Sequence, residues 1–170
     1  SIAVLSFVLP EGYVLALDMT FAPYFKVAPW FFGFESYAFG GLPFLLVMKA
    51  LNILLAGWVV QKVVLVLALF LAGFSAHRLC PSNRAVAKYF AGFFYMFNPF
   101  VLVRLQMGQI LIVLAYALLP FAVKATIDFL KEQTWTKALI LSLLFSLLAV
   151  FTSHILLIAI LIAFTLFLFR

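Results

Sequence analysis

Charged residues are scarce in this chain: only 9% of its 170 residues are Asp, Glu, Lys or Arg, whereas 68% are hydrophobic. A typical soluble domain has about 25% charged and about 45–50% apolar residues. Water cannot solvate the surface of a chain with so few charges, which excludes a soluble enzyme domain and a soluble all-β domain. The composition predicts an all-α, polytopic helical membrane protein, with lipid as the solvent for much of its surface.

Cysteine and recognisable catalytic motifs are scarce as well. The single cysteine, Cys80, allows no internal disulfide and fits neither a zinc nor a redox motif. The sequence contains no nucleotide-binding P-loop, no His/Glu zinc motif and no serine nucleophile elbow. Lys and Arg number 11 against 5 acids, but they form no basic stripe, so nucleic acid is not a predicted partner. Topology signals and contacts with membrane lipid head groups account for this excess.

Long apolar runs define the predicted helices. The clearest is Trp58 to His77, because about 20 apolar residues cross about 30 Å of hydrocarbon. We predict that Asn98-Pro99 breaks or kinks its helix and that Thr152–His154 forms a tight hairpin turn. A mixed-charge connector is predicted over Lys124–Lys137. The other predicted helices cover Tyr89–Val103, Ile110–Val123, Ala138–Thr152 and Ile155–Phe169.

Basic residues orient these helices. Seven of the 11 are in the connectors after the Trp58 and Ile110 helices and at the C-terminus, and four are elsewhere. The positive-inside rule therefore predicts that the basic connectors are cytoplasmic. We expect a multi-pass protein of the plasma membrane. The seven are Arg78, Arg84, Lys88, Lys124, Lys131, Lys137 and Arg170, and the four are Lys26, Lys49, Lys62 and Arg104.

The chain divides into two regions within one transmembrane domain, residues 1–170. Because it begins inside one apolar run and ends directly after another, we expect it to be a fragment of a longer protein. Residues 58–170 are the predicted transmembrane helices, and residues 10–57 form a long, aromatic, partly helical external loop. Within that loop, Phe44–Leu55 carries Lys49 and Asn52 on one narrow stripe, which predicts a helix lying in the membrane interface.

Two acids of the external loop are candidate catalytic residues. Asp18 stands between Leu17 and Met19, and a carboxylate desolvated there could act as a general base. The alternative is a helix cap or an acid in a solvated turn. Glu35, in an aromatic stretch, is a second candidate for the base or for a metal ligand.

Two other candidates belong to the predicted outer face. Arg104, with Gln106 and Gln109 nearby in the sequence, could hold a phosphate with two hydrogen bonds or extend to lipid head groups. His154 is predicted to face the same external vestibule, or else to be a hydrogen-bonded residue of a turn.

Several short motifs resemble those of the integral-membrane arabinofuranosyltransferases, and more broadly of the GT-C superfamily of glycosyltransferases. The similarity covers roughly residues 10–110. Its layout is a spanning helix, a long first external loop with acids and interfacial helices, and then a run of helices. The motifs are Ser36-Tyr37-Ala38-Phe39-Gly40-Gly41-Leu42-Pro43-Phe44, Trp58-Val59-Val60-Gln61-Lys62, and Asn98-Pro99 followed by a basic residue.

This resemblance implies sugar transfer from a polyprenyl-phosphate donor to a glycan, lipid or protein acceptor on the outer face. Asp18 fits the essential acid of the first external loop in GT-C enzymes. Arg104, Lys62 and Gln109 would bind the departing lipid phosphate, with a divalent metal ion as another possible source of positive charge. The loop lacks the paired Asp-x-Asp that many GT-C enzymes carry, so metal dependence stays open.

Two other functional classes remain as alternatives. A transporter or lipid flippase would need charged residues facing a passage at mid-membrane, whereas the charges here lie at the ends of the predicted helices. A non-catalytic membrane subunit would keep the helices without the chemistry.

Overall fold

The computed structural model describes residues 12–14 and 42–169, and within those ranges the chain is helical with no strand. The predicted all-α class is therefore confirmed for this part of the chain. The helices, numbered here in chain order, are α1 Leu42–Leu54, α2 Gly57–Leu79, α3 Ala85–Met96, α4 Pro99–Gln106, α5 Ile110–Lys131, α6 Trp135–Phe151 and α7 Ser153–Leu168.

Three helical stretches are long and apolar enough to cross a membrane. They are α2 with 23 residues, α5 with 22 residues, and α3 together with α4 over 22 residues. The remaining apolar helices are shorter; α6 has 17 residues and α7 has 16. The described part is thus a helical bundle with three candidate membrane spans.

Helices α2 and α5 form the centre of the bundle and pack against each other more extensively than any other pair of described helices. Alanines one turn apart are buried on α2, at Ala68, Ala72 and Ala76. Ala115 and Ala122 of α5 are buried as well. Small residues let two helix backbones approach closely, which favours helix association in lipid through van der Waals contact.

Helix α3 packs on α2 through two glycines. A Cβ atom added to Gly92 would lie 2.7 Å from the carbonyl oxygen of Gly73, closer than any side chain could approach. Apart from this contact α3 and α4 are largely exposed, since only 11% of their apolar window is buried. Helix α3 therefore approaches α2 through close backbone contact at these glycines.

A break at Asn98 separates α3 from α4, as predicted. The Asn98 side-chain oxygen accepts the N–H of Val101 at 3.1 Å, and its amide nitrogen donates to the carbonyl of Tyr95 at 2.8 Å. Pro99 is the first residue of α4, a position where its missing N–H costs no helical hydrogen bond. Asn98 thus ends one helix and caps the next.

The predicted end of α5 at Val123 is wrong, because the helix continues to Lys131. Lys124 and Asp128, one turn apart, form an ion pair of 3.2 Å, and the Thr126 hydroxyl donates to the carbonyl of Ala122 at 2.8 Å. These polar side chains are compatible with a helix. The predicted connector over Lys124–Lys137 is reduced to residues 132–134, and α6 already begins at Trp135.

A single extended residue, Thr152, separates α6 from α7, with φ −165° and ψ 132°. This excludes one continuous helix from Ala138 to Phe169. Both helices pack on α5, where Leu148 and Ile155 are buried in one apolar cluster with Ala115 and Ala122. The predicted division into two helices is confirmed.

The predicted helix Phe44–Leu55 is confirmed as α1. Phe44 meets Phe151 of α6 edge to face, with ring centroids 6.2 Å apart, and Lys49 is exposed. Its orientation in the membrane interface stays a prediction. Most of the predicted external loop, including Asp18 and Glu35, lies outside the described residues.

Candidate anion site at one end of the helix bundle

The predicted phosphate-binding residues are at the same end of the bundle. Lys62 belongs to the second turn of α2, Arg104 to the last turn of α4, and Gln109 immediately precedes α5. One core cluster joins these three helix ends through Val60, Val101 and Ile110. The two predicted catalytic acids, Asp18 and Glu35, lie outside the described residues.

The α4–α5 turn holds Gln109 beside Arg104. Gly108 has a φ of +76°, a conformation that glycine adopts without steric cost. The chain folds back at that point, and the backbone N–H of Gln109 donates to the carbonyl of Arg104 at 2.9 Å. The Gln109 side-chain oxygen then accepts a hydrogen bond of 2.6 Å from Nη1 of Arg104.

The Arg104 guanidinium is fixed in orientation but not fully hydrogen-bonded. Its Cζ atom lies 5.2 Å from the centroid of the Phe100 ring, close enough for a cation–π contact. Its Nε–H is buried and has no hydrogen-bond partner among the described residues. A buried charged donor without an acceptor is costly, so this atom has an unmet preference for an oxygen ligand.

Lys62 is buried although it carries a charge: it is 6% exposed. Its ammonium nitrogen lies 4.9 Å from the centroid of the Trp58 ring, which gives a cation–π contact one turn along the helix. A buried ammonium within a candidate membrane span is a candidate functional group. The buried Lys62 and the half-buried Arg104 therefore place two positive charges at one end of the bundle.

Gln61 is a structural residue of this end that is not among the predicted site residues. It is fully buried, and its side chain binds the backbone of Val14 twice. The Gln61 oxygen accepts the Val14 N–H at 2.8 Å, and the Gln61 amide donates to the Val14 carbonyl at 2.7 Å. Its position inside an apolar helix, next to Lys62, was the signal available in the sequence.

The chain around Val14 also contacts the start of α2. Tyr13 packs against the core cluster of this end, and its hydroxyl occupies the space that a side chain at Gly57 would need. The segment 12–14 is thus attached to α2 by hydrogen bonds and by packing.

A second polar network lies where α3, α4 and α5 meet. The rings of Tyr95 and Tyr116 stack with centroids 4.1 Å apart. Asn98 donates to the Tyr116 hydroxyl at 2.8 Å, and the Tyr95 hydroxyl donates to the Tyr116 carbonyl at 2.9 Å. The break at Asn98 is predicted from the sequence and these partners are not, although a tyrosine hydroxyl in an apolar helix needs a hydrogen-bond partner.

His154 lies at the start of α7 and is exposed. Its backbone N–H donates to the Thr152 hydroxyl at 3.4 Å, and its ring Nδ1 is 3.5 Å from the same oxygen. These contacts fit the alternative of a hydrogen-bonded turn residue. Its role in an external vestibule stays a prediction.

The described acids lie at the opposite end of the bundle. Asp128 is in the last turn of α5 and Glu132 follows that helix. Within residues 12–14 and 42–169, no three His, Cys, Asp or Glu side chains are grouped to hold a metal ion. The arrangement around Arg104 is suited instead to binding an anionic oxygen through nitrogen donors.

These features define a helical bundle with three candidate membrane spans and with a buried lysine and glutamine at one end. Comparisons of the chain with protein-family models, curated proteins and solved structures gave no match.

Proposed function

We propose that this chain is part of a membrane glycosyltransferase of GT-C type that transfers a sugar from a polyprenyl-phosphate donor to an acceptor on the outer face. The observation that carries the proposal is the buried Nε–H of Arg104, which has no acceptor among the described residues. A phosphate oxygen of the donor would supply that acceptor. Arginine suits this role because its planar guanidinium matches the geometry of phosphate.

Gln109 supports this assignment. By accepting from Nη1 at 2.6 Å it fixes the rotation of the guanidinium, so that Nε is held in place before the ligand arrives. A donor group fixed in advance loses little conformational entropy on binding. Gln109 is therefore a positioning residue for Arg104 in this proposal.

Lys62 would supply the second positive charge. Because its side chain is only 6% exposed, its field is weakly screened by water and acts more strongly on a nearby phosphate than a surface lysine would. Phosphate charge increases as the sugar–oxygen bond breaks, and buried cations stabilise that developing charge.

The Gln61–Val14 hydrogen bonds support the assignment of Asp18 as the base. Val14 is attached to α2 beside Lys62, and Asp18 follows Val14 by four residues in the sequence. Four extended residues span at most about 14 Å. We propose that this attachment keeps the catalytic carboxylate near the cationic end of the bundle, with Glu35 as the alternative acid.

In the proposed reaction the acceptor hydroxyl oxygen forms a bond to the anomeric carbon of the donor sugar. Its proton passes to the Asp18 carboxylate. The bond between the anomeric carbon and the phosphate oxygen breaks, and its electron pair leaves with the lipid phosphate, facing Arg104 and Lys62. The transition state has oxocarbenium character, as in glycoside chemistry.

The test compares Arg104→Gln with Lys49→Gln in the intact protein, using radiolabelled polyprenyl-phosphate sugars as donors. Lys49 is exposed on α1 and serves as the matched loss of charge. A hydrogen bond to a charged group contributes about 1.5–3 kcal/mol, so Arg104→Gln should lower kcat/KM roughly 10–100-fold. Arg104→Lys should recover little activity, because lysine has no donor equivalent to Nε.

A second arm measures binding of a sugar-free polyprenyl phosphate to the protein in nanodiscs. Arg104→Gln should weaken this binding, whereas Asp18→Asn should preserve it and abolish transfer. Unchanged transfer in both variants would rule out this mechanism. Movement of the lipid-linked sugar across the bilayer without a new glycosidic bond would favour a flippase instead.

A further inference from the structure

A groove of about 480 Å³ lies at the other end of the bundle from Arg104. The groove is formed by the end of α2, the last turns of α5 and the first turns of α6. A volume of this size is in the usual range for small-molecule sites, about 300–1,000 Å³. The residues of its lining that matter here are Arg78, Lys124, Lys137, Phe121, Ile140 and Leu143.

Three cations face this groove, one from each of the three helices. The Arg78 side chain has no ion pair or hydrogen bond within the described residues. Lys124 pairs with Asp128 at 3.2 Å, and Lys137 pairs with Glu132 at 2.6 Å. An ammonium has three N–H donors, so each lysine keeps donors for another oxygen acceptor. Because Asp128 is the only acid among the described residues of the lining, the groove has a net positive charge.

The rest of the lining is apolar. Ile140 and Leu143 on α6 are 50% and 62% exposed, and Phe121 lies on the facing side of α5. These residues continue into the apolar outer surface of the helices. The groove therefore has a cationic part at the helix ends and an apolar part along the helix sides.

We propose that this groove binds one anionic phospholipid. Its phosphate contacts Arg78, Lys124 and Lys137, and one acyl chain lies along Phe121, Ile140 and Leu143. Basic pockets between membrane helices bind anionic lipid head groups in this way. A soluble phosphate would use the cations but leave the apolar wall exposed to water, so the paired surfaces favour a lipid.

This site is independent of the proposed sugar transfer, because none of its residues belongs to the Arg104 end. It assigns a role to three basic residues that charge counting explains only as topology signals. The bound lipid would join α2, α5 and α6 at their ends.

The experiment places the purified chain in phosphatidylcholine nanodiscs with and without phosphatidylglycerol, and measures retained lipids by native mass spectrometry. The chain should retain one phosphatidylglycerol in preference to phosphatidylcholine. The double variant Arg78→Gln/Lys124→Gln should weaken that preference about thirtyfold, since one charge near the surface contributes about a fivefold factor. The matched control is Arg84→Gln/Lys131→Gln, which removes two exposed charges of the same end that do not line the groove.

Two further measurements complete the test. The charge-preserving variant Arg78→Lys/Lys124→Arg should retain the lipid, which separates loss of charge from loss of fold. Glycerol phosphate, which has no acyl chain, should fail to displace the bound lipid. Equal loss in the groove variant and the control, no preference for phosphatidylglycerol, or displacement by glycerol phosphate would each overturn the proposal.

Discussion

The basic side chains at the two ends of the helix bundle differ in their burial and in their ion pairing. At the end that holds Arg104 and Lys62, Lys62 is buried against Trp58, and the half-buried Arg104 is held by Gln109 with a buried Nε that lacks an acceptor among the described residues. At the other end, Lys124 and Lys137 are part-exposed and paired with acids along or just beyond α5. Burying a charge is costly whereas a surface ion pair contributes little. The first end therefore needs a ligand or a structural role to account for its cations, and the second does not.

The largest expected effect is a difference in thiol labelling between the two ends of the bundle, which we predict to face opposite sides of a membrane. In a Cys80→Ser background, Gln106→Cys and Arg84→Cys place single thiols at the two ends of the α3–α4 stretch, both at exposed positions. We expect an impermeant maleimide added outside sealed vesicles to label position 106 and not position 84. Labelling of both positions from one side would show that α3 and α4 do not cross together.

A large loss of stability is expected from Gln61→Leu. The substitution leaves the Val14 N–H and carbonyl without their partners, and each unsatisfied buried group costs about 1–3 kcal/mol. We expect the free energy of unfolding to fall by about 2 kcal/mol or more, with faster hydrogen exchange at Val14. The control is Gln133→Leu, at an exposed position beyond α5. It should change neither the free energy of unfolding nor the hydrogen exchange at Val14. Equal effects of the two substitutions would show that the Gln61–Val14 hydrogen bonds do not stabilise their end of the bundle.

A smaller loss is expected from Asn98→Ala. It removes the cap on α4 and the hydrogen bond to Tyr116, and loss of a cap costs about 0.5–2 kcal/mol. Chemical denaturation in detergent should show a decrease of that size. Asn83→Ala, in the exposed connector after α2, should have no measurable effect. Were Asn98→Ala neutral, the polar network between α3 and α5 would not contribute to stability.

The smallest effect is a pH dependence at the exposed end. The hydrogen bond from Lys137, together with its charge, lowers the pKa of Glu132 below its ordinary value of 4.5. A carboxyl whose pKa is lowered by folding stabilises the fold above its unfolded pKa, and this contribution disappears as pH falls through the folded pKa. An NMR titration should give a midpoint below 4.5 that rises in Lys137→Met. A midpoint unaffected by that substitution would show that the ion pair does not form in solution.

Helix positions could be predicted where hydropathy alone decides them. Trp58 to His77 differs from α2 by one residue at its start and two at its end, and Asn98-Pro99 marks a break because its chemistry is local. The predicted end of α5 at Val123 is too early, because Lys124 and Asp128 lower the hydropathy without disfavouring a helix. An i, i+4 ion pair stabilises the last turns instead.

Long-range contacts of the candidate site could not be predicted. Gln61 and Val14 are 47 residues apart, and nothing in the spacing of either residue indicates the other. Arg104 and Gln109, by contrast, are close in sequence, and their side chains form a hydrogen bond. The sequence could not show that Nε of Arg104 lacks an acceptor, because this depends on how α4, α5 and their turn pack around it.

The contact between Gly73 and Gly92 bears on the order in which the chain assembles during synthesis. The two glycines are 19 residues apart, and the contact is complete once α3 has been made, before any residue of α5 exists. Close backbone contact in lipid requires only the two helices concerned. The α2–α3 pair can therefore form before α5 is made, and α5 then packs on an α2 that already holds its neighbour.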